Sequence, residues 1–127
     1  DTVRLLALAW QQAGQTSKAI TLLEGNPEAI EDDAGFQQYI RLLIESDDWQ
    51  RQVSVFEKYF GGDRQTWSSL TPKKENEWLL LQFAAAYVEL GFHKKATQLF
   101  SALAHKGVLS DDSQARVNKW LDYLSKY

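Results

Sequence analysis

Apolar side chains along this chain recur every three to four positions in one segment after another, and no strand pattern of comparable length appears. Val3, Leu6, Ala7 and Trp10 fall at i, i+3, i+4 and i+7, the spacing that gathers them on one face of a helix. The pattern predicts a first helix to about Ala13 and a turn at Gly14. A second helix follows, capped by Thr16 or Ser17 and carrying Ala19, Ile20, Leu22 and Leu23. These two helices are expected to form a hairpin.

Asn26-Pro27 reads as an N-cap followed by proline at the first helical position, where its missing N–H costs nothing. Gly35 is expected to interrupt that stretch. A longer helix then runs through Phe36, Tyr39, Ile40, Leu43 and Ile44 to Ser46, and Asp47-Asp48 caps the next. There Trp49, Val53, Phe56 and Phe60 form a stripe with Tyr59 beside it, completing a second hairpin. Gly61-Gly62 breaks the pattern, and Asp63 to Leu70 is expected as a loop or short irregular helix whose Trp67 must pack somewhere. Thr71-Pro72 is expected to restart a helix that continues through Trp78, Leu81 and Phe83 to Leu90. Gly91 ends it, and Phe92, Ala96, Leu99, Phe100 and Leu103 make the returning helix, with Lys106 and Gly107 at its end. Ser110-Asp111-Asp112 starts a last helix with Val117, Trp120, Leu121 and Leu124 on its apolar side.

Composition agrees with a chain that folds in water: 44% of residues are apolar and 24% charged, within 127 residues that fit one domain. The longest apolar stretches, Trp78 to Leu81 and Phe83 to Val88, fall far short of the roughly 20 residues of a membrane-spanning helix. A net charge of −3 speaks against a nucleic-acid partner, which needs a positive surface. The charge is uneven. Asp1 to Asp48 holds nine acidic and three basic residues, hence −6, whereas Trp49 onward holds eight acidic and eleven basic, hence +3. Such polarity can orient a partner, or reflect two differently solvated faces. The absence of cysteine excludes disulfides, thiolate metal sites and a cysteine nucleophile, and leaves the compartment open. A chain without methionine that opens at Asp1 directly in a helical pattern reads as a piece of something longer, with any targeting signal and further repeats upstream.

Aligned on their turns, the three hairpins put Gly14, Asp47 and Gly91 at equivalent positions, 33 and 44 residues apart. Four residues before each turn stand Trp10, Leu43 and Tyr87; five after it, Ala19, Gln52 and Ala96; nine after it, Leu23, Phe56 and Phe100. Seven before it are Ala7, Ile40 and Ala84. In this alternation of large and small residues the chain resembles the tetratricopeptide repeat (TPR) family, whose period is about 34 residues. The match is best in Phe83 to Leu103, and the second repeat departs from it at Ile40 and Gln52. The resemblance implies an all-α, TPR-like helical-hairpin solenoid of about three hairpins plus a C-terminal capping helix. Repeat one is 1–26, repeat two 34–60, an insert 61–71, repeat three 72–107 and the capping helix 110–127. More weakly, Pro72 to Trp78 followed by Phe83 to Phe100 is similar to repeats of bacterial TPR proteins linked to TonB-type systems. That similarity implies an envelope assembly and a periplasmic rather than cytoplasmic site.

Candidate chemistry is sparse. His93 and His105 lie 12 residues apart on one predicted helix, about 18 Å along its axis, so they cannot share a metal and are expected at the surface. The Asp pairs at 32–33, 47–48 and 111–112 stand at helix starts, where capping and the helix dipole account for them. No phosphate loop, nucleophile elbow or zinc-binding His pair is found, so neither an enzyme nor a cofactor or metal is expected. Trp10, Trp49, Trp78 and Trp120 lie on apolar faces and are expected in the core. Trp67, in the insert, is a secondary candidate for binding.

The resemblance further implies that the first helix of each hairpin lines a concave groove. Repeat one then offers Arg4, Leu8, Gln11 and Gln12. Repeat two offers Gln37, Gln38, Arg41, Ile44 and Glu45, and repeat three Trp78, Leu81, Gln82, Ala85, Val88 and Glu89. With only Arg4 and Arg41 as cations, that face lacks the basic clamp with which chaperone-binding TPR domains hold a C-terminal carboxylate. Its amides suit an extended backbone and its aliphatics shallow apolar contacts, so a peptide or helix of a partner protein is the expected ligand. The polar side chains Gln11, Gln38, Arg41, Gln82 and Glu89 are expected to be free of core partners, and Arg41, in the middle repeat, is expected to contribute most to binding. The alternative is a purely structural segment of a longer repeat scaffold.

Overall fold

The computed structural model describes residues 2–127, and the expectation that Asp1 leads straight into the first repeat lies outside the described residues. Every regular element among the described residues is helical, so the fold is all-α. The chain divides into two compact units between Asp48 and Trp49, inside the 34–60 segment and at the point where the charge balance changes sign.

The first unit holds α1 (Thr2–Gln12), α2 (Thr16–Glu24), a single 3-10 turn (Pro27–Ile30) and α3 (Asp33–Glu45). Helices α1 and α2 pack on each other, and α3 packs on α2 and on the 3-10 turn. Ala7 and Ala19 are wholly buried, one on each helix of the first hairpin, and side chains this small let helices approach closely. Leu23, Phe36, Ile40, Leu42 and Leu43 fill the rest of this core.

Two local expectations are corrected here. Neither Thr16 nor Ser17 caps α2; the cap position is Gln15, without a side-chain hydrogen bond. Gly35 does not interrupt a helix but lies buried in the first turn of α3, where a Cβ would stand 1.9 Å from the carbonyl oxygen of Ala29. Glycine is required there because the 3-10 turn passes against the helix backbone, not because a helix must end. Asp32 starts α3 by accepting the Gly35 N–H at 2.9 Å.

The second unit holds α4 (Trp49–Phe60), α5 (Arg64–Ser68), α6 (Glu77–Glu89), α7 (His93–His105) and α8 (Asp111–Leu124). Helix α6 is its centre, packed against α4, α7 and α8. Accordingly it buries Leu79, Leu80, Phe83, Ala84, Ala86 and Tyr87, residues that at 100° per residue cover an arc of roughly 160°. The expected restart at Thr71-Pro72 is corrected: the helix begins only at Glu77. Residues 74–76 form a turn, and the Asn76 carboxamide oxygen accepts the Lys73 N–H at 2.8 Å.

The insert is bound into this unit by its tryptophan. Trp67 is 1% exposed, lies edge-on to Phe83 and Tyr87 at 5.9 and 5.8 Å, and donates its indole N–H to the Gly61 carbonyl at 2.8 Å. Phe56 and Phe60 stack on Phe83 from α4. A ring buried this way has both its apolar area and its polar tip satisfied.

Turns fall at Gly14, Asp47 and Gly91, as the sequence predicts, and all three residues have a left-handed backbone, with φ of 78°, 53° and 82°. Their hydrogen bonds repeat residue for residue. Gly14, Asp47 and Gly91 donate to the carbonyls three back, Gln11, Ile44 and Val88, while Gln15, Asp48 and Phe92 donate to those five back, Trp10, Leu43 and Tyr87. That pairing is the Schellman motif, which satisfies the orphan carbonyls of a helix end.

Candidate functional site

In the first unit the polar residues expected on an inner face are largely engaged with one another, which corrects the expectation that they are free. The Gln11 carboxamide donates to Glu45 at 2.7 Å, and Gln38 donates to the Arg4 carbonyl at 2.9 Å. The Arg4 guanidinium donates to the Ala29 carbonyl at 2.9 Å and to the Asp32 carboxylate at 2.6 Å. Hydrogen bonds from the Gly35 N–H and from Arg4 hold the Asp32 carboxyl below the usual carboxylate range. Together these contacts form a polar seam from α1 to α3. Gln12 and Arg41 lie at the surface.

The second unit differs. Gln82, half-buried on α6, donates to Gln52 of α4 at 2.9 Å, and Gln52 is fully buried. The departure from a small residue at position 52 is thus absorbed by a hydrogen bond. Beside Gln82, the α6 residues Trp78, Leu81 and Ala85 face Arg116 and Trp120 of α8 across a cleft of about 240 Å3. A shallower depression of about 280 Å3 continues along α8 over Arg116, Lys119, Trp120 and Tyr123. Trp120 is half-buried, stacked on Phe100 at 5.6 Å, and among the described residues Arg116 pairs only with the exposed Asp112, at 3.5 Å. Glu89 is exposed at the end of α6.

The start of α8 is tied to the start of α6. Ser110 caps α8, and the buried Glu77 carboxylate accepts the Ser110 N–H at 2.8 Å, its hydroxyl at 2.9 Å and the Ser113 hydroxyl at 3.0 Å. Burial alone would raise the Glu77 pKa, but these hydrogen bonds, with Lys74 nearby, outweigh it and hold it below the ordinary range. Elsewhere in the unit burial, together with a 2.6 Å hydrogen bond to Glu57, pushes the Tyr87 hydroxyl far up, so it stays a protonated donor.

Four of the six cleft residues, Trp78, Leu81, Gln82 and Ala85, are ones the sequence places on an inner face; Arg116 and Trp120 are not. The sequence assigns Trp120 to the core, and Arg116 is not among the residues it puts on the apolar side of the last helix. A signal for them exists: Arg116, Trp120 and Tyr123 fall at i, i+4 and i+7, a stripe beside the buried one of Ser113, Val117 and Leu124. Trp67, the secondary candidate, is corrected, since a ring wholly inside the core cannot stack on a partner. His93 is also not a simple surface residue: it is half-buried, stacks on Tyr127 at 4.4 Å, and its Nδ1 meets no hydrogen-bond partner among the described residues. No helix among the described residues is long and apolar enough to cross a membrane.

No family model, curated protein or solved structure matches the chain.

Proposed function

We propose that this chain is a TPR-like binding module that holds a peptide or helix of a partner protein, without catalysis, in the cleft between α6 and α8. The observation that carries the reading is the lining of that cleft. Two half-exposed indoles, Trp78 and Trp120, stand with Leu81 and Ala85 beside the amide of Gln82 and the guanidinium of Arg116. Apolar anchors next to a few placed polar groups are the composition of a peptide-binding surface, and Trp and Arg are the residues most often dominant there. Support for the repeat itself comes from the three matching turns and from the seam bonds, Gln11 to Glu45 and Gln38 to Arg4, which each join residues 34 apart. A bacterial envelope assembly, with the chain in the periplasm, is the setting that the weaker resemblance suggests.

The test is retention of a partner from lysate by the full-length protein, compared with variants. Trp120→Ala with Arg116→Gln should weaken retention by about 1–3 kcal/mol, whereas Gln38→Ala with Arg41→Ala, on the first unit, should weaken it less. If the first pair binds undiminished and the second does not, the site lies on the first unit.

A second reading, a structural stretch of a longer repeat array, is favoured by one observation. Helix α1 leaves Leu5, Leu6 and Leu8 67%, 46% and 41% exposed, an apolar face suited to a further helix. Leu5→Asp with Leu6→Asp would then destabilise the parent protein while leaving cleft binding intact.

A further inference from the structure

Outside the cleft the second unit carries a larger concavity, about 530 Å3, between α5 and the outer side of α7. Its size falls within the roughly 300–1,000 Å3 of small-molecule sites. Arg64 of α5 lines it on one side; His105 and Lys106, from the end of α7, line it on the other, and no carboxylate does. Among the described residues none of these three side chains takes part in an ion pair. The Lys106 ammonium donates to the backbone carbonyl of Ser68, which ties the end of α7 to α5 and fixes the charge at the wall. An ammonium has three N–H groups, so two remain for a ligand. Gln98 and Ser101 add neutral hydrogen-bonding groups, and Ala102 adds an apolar patch.

We propose that this basin binds a tetrahedral oxyanion carried on a small apolar body, that is, a phosphate monoester, either free or as a phosphorylated side chain. The guanidinium offers paired donors to two oxygens, and Lys106 and His105 offer donors from the opposite wall. A planar carboxylate would use fewer of them. The apolar patch beside the cations accommodates the ester's organic part. None of these residues belongs to the α6/α8 cleft, so the inference stands whether or not that cleft binds a partner.

The experiment is a titration of the 15N-labelled chain with phenyl phosphate at constant ionic strength, followed by amide shifts. Saturable shifts are expected at Gln98, Ser101 and Ala102, with phenol and inorganic phosphate each binding more weakly. Arg64→Gln should reduce affinity about tenfold, on the scale of a charge-assisted hydrogen bond, and because the Arg64 side chain makes no hydrogen bond or ion pair among the described residues, the variant's amide spectrum away from the basin should stay that of the folded chain. A phosphotyrosyl peptide that binds more tightly and shifts further amides identifies a phosphorylated protein as the source; equal affinity identifies a free ester. Shifts that do not saturate, that map to Arg116 and Lys119, or that persist unchanged in Arg64→Gln overturn the proposal.

Discussion

In the first unit the helices α1 and α3 are joined through amides and charges, Arg4 to Asp32, Gln11 to Glu45 and Gln38 to the Arg4 carbonyl. In the second, α4, α5 and α6 are joined through rings, with Phe56, Phe60 and Trp67 gathered on Phe83, and two hydrogen bonds, Gln82 to Gln52 and Tyr87 to Glu57, add to them between α6 and α4. The first carries −6 and the second +3. A seam of hydrogen bonds satisfies the polar groups that line it, so little donor capacity is left for a ligand. Cohesion by rings does not consume donors. The cleft of Trp78, Gln82, Arg116 and Trp120 and the basin of Arg64, His105 and Lys106 both lie in the ring-built, positive unit. Where a helical chain keeps its cohesion apolar, its polar groups remain available for recognition.

Removing the ring that holds the insert breaks this contrast most severely. Trp67→Ala should cost about 3–5 kcal/mol, the range for deleting a buried aromatic, seen in urea unfolding. A loss under 1 kcal/mol would mean that the second unit does not depend on its rings. A matched pair of substitutions compares the two hairpins directly. Ala19→Leu in the first unit and Ala96→Leu in the second both place bulk at fully buried alanines and should each cost about 1–3 kcal/mol. Thermal unfolding of Ala96→Leu indistinguishable from the parent would show that α6 and α7 do not approach closely at that residue.

Glu77 sharpens the comparison through pH. Its folded pKa lies below the unfolded value, so its contribution is fully present above the ordinary glutamate value near 4.5 and is lost as pH falls through the folded one. Glu77→Gln should therefore destabilise by about 1–2 kcal/mol at neutral pH, on the scale of hydrogen bonds to a charged group, and the gap to the parent should close in strong acid. A gap independent of pH would assign the loss to packing. The smallest effect lies at the turns. Asp47 holds the left-handed backbone that glycine holds at 14 and 91, so Asp47→Gly should stabilise by up to about 1 kcal/mol, while Gly14→Ala and Gly91→Ala should each cost about that much. Calorimetric midpoints of the three variants measure the difference.

The turns were legible in the sequence because a helix that reverses needs a left-handed residue at its end, and Gly14, Asp47 and Gly91 stand where the apolar stripes stop. Ala7, Ala19, Ala84 and Ala96 were legible because closely crossing helices demand small side chains. What could not be read were interactions made across the chain. Gly35 looks like a breaker until the Ala29 carbonyl is seen against it, and Thr71-Pro72 looks like a start until Glu77 is seen holding Ser110 and Ser113. The inner-face candidates were misjudged for the same reason: periodicity gives the side of a helix on which Gln11 or Gln38 stands, but not that Glu45 and the Arg4 carbonyl stand opposite. Trp120 was assigned to the core because it falls on the apolar side of the last helix; the structure stacks its ring on Phe100 yet also has it line the cleft.

Five of the side-chain bonds that join helices span similar lengths of chain in the two units: 34 residues for Gln11 to Glu45 and for Gln38 to Arg4, 30 for Gln52 to Gln82 and for Glu57 to Tyr87, and 36 for Glu77 to Ser113. Because closure entropy grows only logarithmically, with about 0.6 kcal/mol for each doubling of the loop, the unfolded chain pays almost the same entropy to make any of these contacts. For these five contacts topology gives neither unit a head start. Which folds first is decided by local helix formation and by how soon its core excludes water, and contacts this near in sequence favour the fast end of the folding range.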